Sequence, residues 1–120
     1  MGVSKGNLVT TEMVQSMNSR PVIFALANPV PEIMPDIAKS AGAFVVATGR
    51  SDFPNQINNV LAFPGIFRGA LDNKIKQFTD EMFLQAAENL AGCVENLSVE
   101  QVLPNLFDKN IVEKVARAIR

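Results

Sequence analysis

Residues 22–47 read VIFALANPVPEIMPDIAKSAGAFVVA. Val22 to Ala27 is an unbroken apolar run with β-branched residues and no alternation, the pattern of a strand buried on both faces in a parallel sheet. Asn28-Pro29-Val30-Pro31 stops it, because proline cannot extend the ladder and biases Asn28 toward an extended backbone. Pro31 to Ser40 reads as a helix with proline in its first turn and Glu32 near its positive end. Pro35 is harmless only within that first turn, so a later start is open. Ile33, Met34, Ile37 and Ala38 form its expected inward face, and Gly42 supplies the stop. Ala43 to Ala47 is a second strand of the buried type. Strand, helix and strand in that order predict a right-handed parallel crossover.

Downstream, Thr48-Gly49-Arg50-Ser51-Asp52 should leave the same sheet edge as Asn28. In open parallel sheets that edge is where ligands bind. Asn28 therefore has two readings, a ligand contact or a turn asparagine bonded to its own backbone. Arg50 could meet a substrate carboxylate or a cofactor phosphate, but Asp52 two residues on favours an internal ion pair or a helix cap. From Gln56 the chain reads as a buried helix carrying Ile57, Val60, Leu61, Ala62 and Phe63. Pro64 should break or kink it, and helix should resume through Ile66, Phe67, Ala70 and Leu71. Asn55, Asn58 and Asn59 would share the first turn, one as cap and the others free to face a ligand.

Upstream, Gly2-Val3-Ser4 reads as the end of a strand. Thr10 or Thr11 caps a helix over about residues 11–18, with Met13, Val14 and Met17 on its inner face. Beyond Asp72, Thr79 caps an amphipathic helix to Ala91 with Met82, Phe83, Ala86, Ala87 and Leu90 inward. Cys93 reads as inert packing. Residues 97–104 are a connector, and Asp108 caps a last helix over 109–119. The sum is α/β: a partial doubly wound, Rossmann-like parallel sheet of two to three strands with about five helices.

Composition narrows the chemistry. A chain of 120 residues with 48% apolar and 19% charged residues suits one small globular domain. A net charge of −1 gives no electrostatic case for nucleic acid or an anionic membrane. No apolar run approaches the roughly 20 residues of a membrane span. The first residues, Met1 to Gly6, do not read as a secretory h-region. His, Tyr and Trp are absent, which excludes imidazole catalysis, a tyrosine acid and a Cys/His metal site within these residues. The single cysteine allows no intrachain disulfide, which is compatible with the cytoplasm.

Two long motifs carry a resemblance. One is Pro21-Val22-Ile23-Phe24-Ala25-Leu26-Ala27-Asn28-Pro29. The other runs Ala47-Thr48-Gly49-Arg50-Ser51-Asp52, then Pro54-Asn55-Gln56, Asn58-Asn59-Val60 and Phe63-Pro64-Gly65. In this order they resemble malic enzymes, which oxidatively decarboxylate malate to pyruvate and CO2 with NAD or NADP. The resemblance implies that residues 1–120 are the C-terminal portion of the NAD(P)-binding domain, an incomplete domain. Met1 stands where a strand should already be under way, so the chain is expected to be a fragment or to start inside a domain.

No G-x-G-x-x-G occurs, and the resemblance puts that phosphate turn upstream, with the catalytic lysine and tyrosine and the carboxylates for a divalent Mg or Mn. No catalytic or metal-binding residue is therefore expected here. What the resemblance carries over is Asn28 and Asn58 at the substrate, and Asn28, Asn59, Val3 and Ser4 at the cofactor. Carboxamides suit this work because they bond carboxylates and hydroxyls without adding charge. The choice between NAD and NADP would lie on an upstream strand.

The implied partners are malate and pyruvate, with a homo-oligomer or association through a truncated sheet edge, in the cytoplasm. The isolated chain is predicted to be inactive. Two alternatives stand beside this reading: a non-catalytic remnant or association module, and a relative with malolactic chemistry.

Overall fold

The computed structural model describes all 120 residues. They form two units: residues 1–57 with 98–101, and residues 58–97 with 102–120.

The first unit is built on two parallel strands, β1 (Val22–Ala25) and β2 (Val45–Thr48), with Val22 opposite Val45 and Ala25 opposite Thr48. Helix α2 (Pro35–Ser40) lies between them in the chain, as the crossover pattern requires. Gly2 adds one parallel rung beside β1. Its N–H donates to the Phe24 carbonyl at 2.8 Å, and Leu26 N–H donates to the Gly2 carbonyl at 2.9 Å. On the far side Gln56 forms a parallel bridge with Thr48, and Ile57 N–H donates to the Thr48 carbonyl at 2.8 Å. Two strands and two flanking rungs are what these residues supply of a Rossmann-like sheet.

The core of this unit joins Val14, Ile23, Ala25, Ile33, Ala38, Ala41 and Val46. All of β2 is buried. β1 departs from the expected two-sided burial: Ile23 and Ala25 are buried, while Val22 is 51% exposed. The core members from α1 (Thr11–Gln15) and α2 lie with Ile23 and Ala25, so the helices cover that face of β1. Helix α1 is shorter than expected. Thr10 Oγ1 caps it by accepting from Met13 N–H at 3.3 Å, and Ser16 closes it through Oγ to the Met13 carbonyl. Only Val14 of the expected stripe is buried; Met13 and Met17 are exposed.

Helix α2 starts at Pro35, the later start left open for this segment, and not at Pro31. Pro35 occupies the first turn, where its missing N–H costs nothing. Pro35 and Ala38 then share the inward side and Ile37 turns out to solvent. Ile33 is still buried, but from the loop. Gly42 takes φ +105°, a backbone state that favours glycine at a helix end.

The second unit holds a short 3-10 turn (Asn59–Leu61) and helices α3 (Phe63–Asp72), α4 (Asp80–Ala91) and α5 (Asn110–Ala116). The helix expected from Gln56, broken at Pro64, does not form. Asn58 is extended, its Oδ1 accepts from Val60 N–H at 3.0 Å, and Pro64 sits in the first turn of α3. Proline starts this helix instead of breaking one. Leu61 is buried, but Val60 and Phe63 are half exposed, contrary to the expected all-round burial.

Gly65 and Gly69 let α3 approach α5 closely. A Cβ at position 65 would lie 2.6 Å from Val115 Cβ, and one at 69 would lie 2.5 Å from the Ala116 carbonyl oxygen. The core around this crossing is Leu61, Ile66, Ala86, Cys93, Ile111, Val115, Ala118 and Ile119. Thr79 caps α4, as expected, by accepting from Met82 N–H at 3.3 Å. Ala86 is buried on its inner face with Met82 and Leu90 partly so, whereas Phe83 and Ala87 face outward. Asp108 Oδ1 accepts from Asn110 N–H at 2.9 Å at the head of α5. Cys93 is a buried free thiol, with Sγ 3.3 Å from the Asn89 carbonyl it donates to.

Candidate substrate and cofactor site

Because Gly2, β1 and β2 run parallel, the segments that follow them leave one edge of the first unit. Those segments are Val3–Ser4, Leu26–Asn28 and Gly49–Asp52. Asn28 is exposed, precedes a cis Asn28–Pro29 bond, and its carboxamide has no hydrogen bond within the chain. The turn-asparagine alternative, with the side chain on its own backbone, is thus not the arrangement seen. Val3 is 73% exposed and Ser4 is exposed.

The Val3–Ser4 and Ala27–Asn28 segments are joined by a residue that sequence reasoning assigned to a helix terminus. Glu32 is only 3% exposed. Its Oε1 accepts from Ser4 N–H at 2.8 Å and its Oε2 from Ala27 N–H at 3.0 Å. Burial works to raise its pKa. The Ala27 and Ser4 N–H groups, helped by its own backbone N–H and the N-terminal charge, outweigh that and hold it below the ordinary glutamate value. The signal in the sequence was a carboxylate between two apolar positions, Pro31 and Ile33, in a segment whose prolines discourage helix.

The carboxamides after β2 divide by role. Asn55 is 8% exposed, adopts φ +58°, and donates to the carbonyls of Val46 at 3.1 Å and Val99 at 2.9 Å. It is a framework residue. Asn58 uses Oδ1 as the cap of the 3-10 turn, which leaves its Nδ2 turned to solvent. Asn59 is exposed and its side chain makes no hydrogen bond within the chain. Spacing alone could not make this division, because all three were read as one helical turn.

Arg50 and Asp52 form a bidentate ion pair, Nε to Oδ1 at 2.8 Å and Nη2 to Oδ2 at 2.6 Å. The hydrogen bonds, with the charge attraction, hold the Asp52 carboxyl below its usual range and raise the Arg50 guanidinium. The guanidinium is thereby occupied internally, in line with the structural role favoured for both residues. Thr48 Oγ1 accepts from Arg50 N–H at 3.2 Å and shapes the same turn.

The carboxamides of Asn28, Asn58 and Asn59 are neutral, exposed groups of the kind that suits the reactive end of a dinucleotide, and the charges of the Arg50–Asp52 pair at the edge are matched to each other. The residues at the sheet edge do not fit a divalent metal, because no three His, Cys, Asp or Glu side chains come together. No helix is long and apolar enough to cross a membrane.

Comparison with known proteins identifies the family and the fold. The family model described as "Malic enzyme, NAD binding domain" matches residues 1–120. A bifunctional malic/malolactic enzyme of Bacillus subtilis (strain 168) is 56% identical over 99% of this chain, which spans 30% of that protein. An NAD-dependent malic enzyme of Geobacillus stearothermophilus is 46% identical over 99% of the chain, against 25% of its own length. Among solved structures, an NAD-dependent malic enzyme from Thermotoga maritima superposes with a TM-score of 0.92 at 50% identity, covering 99% of this chain and 31% of that one. The chain thus spans about a third or less of the relatives it matches. A full-length family match, high identity and the same fold agree: this chain belongs to the malic enzyme NAD-binding domain family.

Proposed function

We propose that these residues supply asparagines to the substrate and nicotinamide site of an enzyme that oxidatively decarboxylates malate to pyruvate and CO2 with NAD or NADP. The observation that carries the reading is the unengaged carboxamide of Asn28 at the carboxyl edge of a parallel sheet. In this reading Asn28 bonds malate and the nicotinamide carboxamide. Asn58 offers Nδ2 to malate while Oδ1 keeps its cap, and Asn59 steadies the nicotinamide end. Val3 and Ser4 lie along the adenosine half. The bound dinucleotide supplies the hydride acceptor; these side chains orient substrate and cofactor toward each other. No acid, base or metal ligand is assigned to these residues.

The reading also carries a homo-oligomer, or association through a sheet edge, where Gly2 pairs with β1 by a single bridge. It also carries a cytoplasmic location, supported by a lone unbridged thiol. The test is malate-dependent NAD(P)H formation by the complete natural protein that carries residues 1–120, with Asn28→Ala beside it. Pyruvate formation that Asn28→Ala abolishes supports the reading; a variant with unchanged kcat/KM refutes it.

A second reading has a specific support, the bifunctional malic/malolactic relative at 56% identity. Here malate is converted to lactate and CO2 with no net NADH. Analysis of the carboxylic acid product separates the two.

A further inference from the structure

We propose that Glu32 is a positioning residue, a buried clamp that fixes the Asn28 loop against the Val3–Ser4 segment. The inference rests on the site reading above and goes beyond it, since Glu32 touches neither ligand there. One carboxylate spans two segments that are far apart in the chain, with one oxygen on Ser4 N–H and the other on Ala27 N–H. Ala27 immediately precedes Asn28, and Ser4 immediately follows Val3. The Glu32 backbone continues the junction: its carbonyl accepts from Val9 N–H at 2.9 Å, and the Pro31 carbonyl accepts from Asn7 N–H at 3.1 Å.

The clamp is tightly packed at two glycines. A Cβ at Gly2 would fall 2.7 Å from Glu32 Cδ, and a Cβ at Gly6 would fall 2.8 Å from Val30 Cβ. Gly2 and Gly6 therefore lie close against Glu32 and Val30. Neither loop has a neighbouring regular ladder to hold it beyond Leu26. A carboxylate is the group for the task because both oxygens accept; a carboxamide of the same length has one acceptor and would set a donor against a backbone donor. Burial makes that mismatch costly and the geometry sharp.

The test compares wild type, Glu32→Gln and Glu32→Asp in the complete natural protein, reading the malate KM, kcat, cofactor affinity and melting temperature. The clamp predicts that Glu32→Gln raises the malate KM about tenfold in the folded enzyme, the scale of a sub-ångström misplacement of a contact group. Glu32→Asp keeps the charge but is one methylene shorter, so it should recover only part of that. A role in stability alone would lower the melting temperature and the active fraction while the KM stays unchanged, and that result overturns the proposal.

If both variants fail to fold, wild type with labelled Ser and Ala reports instead. The amide protons of Ser4 and Ala27 must titrate together with a single acidic midpoint, and independent titration overturns the clamp. Asn28→Ala run in parallel separates the failures. If it raises the malate KM and Glu32→Gln does not, the clamp alone falls. If Asn28→Ala leaves malate untouched, the site reading falls and takes the functional part of the clamp with it.

Discussion

Glu32 gives acid stability a definite sign. Its folded pKa lies below its unfolded value of about 4.5, so its contribution is fully present above that value and is lost as pH falls through the folded one. Urea midpoints should therefore drop more steeply below about pH 4.5 in wild type than in Glu32→Gln. Glu12, Asp52 and Glu81 also have lowered values but are exposed, and they remain in both proteins, so the difference isolates Glu32. Equal slopes would contradict the double hydrogen bond. Asn58 permits a cleaner substitution than alanine. Asn58→Asp keeps an oxygen to cap Val60 N–H and removes the Nδ2 donor. Malate KM should rise in the complete enzyme with cofactor affinity nearly unchanged; an unaltered malate KM would remove Asn58 from the site.

At the scale of elements, the α3–α5 crossing depends on two missing side chains. Gly69→Ala forces a methyl onto the Ala116 carbonyl, a backbone atom that cannot swing aside, and should cost about 1–3 kcal/mol in denaturant unfolding. Gly92→Ala, at the end of α4 with no neighbour closer than 3.4 Å, should be neutral or stabilising by up to about 1 kcal/mol. Equal losses at the two sites would contradict close packing at Gly69.

The crossover and the Thr79-capped helix were legible because apolar runs and caps are local signals. The segment 55–64 was not. Its apolar residues look helical in spacing, but Asn55 takes a left-handed backbone state and bonds two carbonyls, one of them 44 residues away. That tertiary contact overrides the local pattern. Asn28 was legible as an edge residue because it follows the apolar run that forms β1 and precedes Pro29, although the strand itself ends earlier, at Ala25. Glu32 was hidden because its partners, Ser4 and Ala27, are set by folding rather than by spacing.

At the scale of the whole molecule, the reading proposed above gives these residues a share of a substrate and cofactor site and assigns catalysis to none of them. They contain no imidazole or phenol, no glycine-rich phosphate turn and no group of metal ligands. The 120-residue chain by itself should therefore form no NAD(P)H from malate above a blank. Turnover by the purified chain would contradict the division of labour proposed here.

The most direct test of the central claim is kcat/KM for malate in the complete natural protein, wild type against Asn28→Ala, with folding checked by circular dichroism. The account predicts malate-dependent reduction of NAD or NADP in wild type and a loss of at least about tenfold in the folded variant, the cost of one lost charge-assisted hydrogen bond. A folded Asn28→Ala enzyme with the kcat/KM of wild type would contradict it.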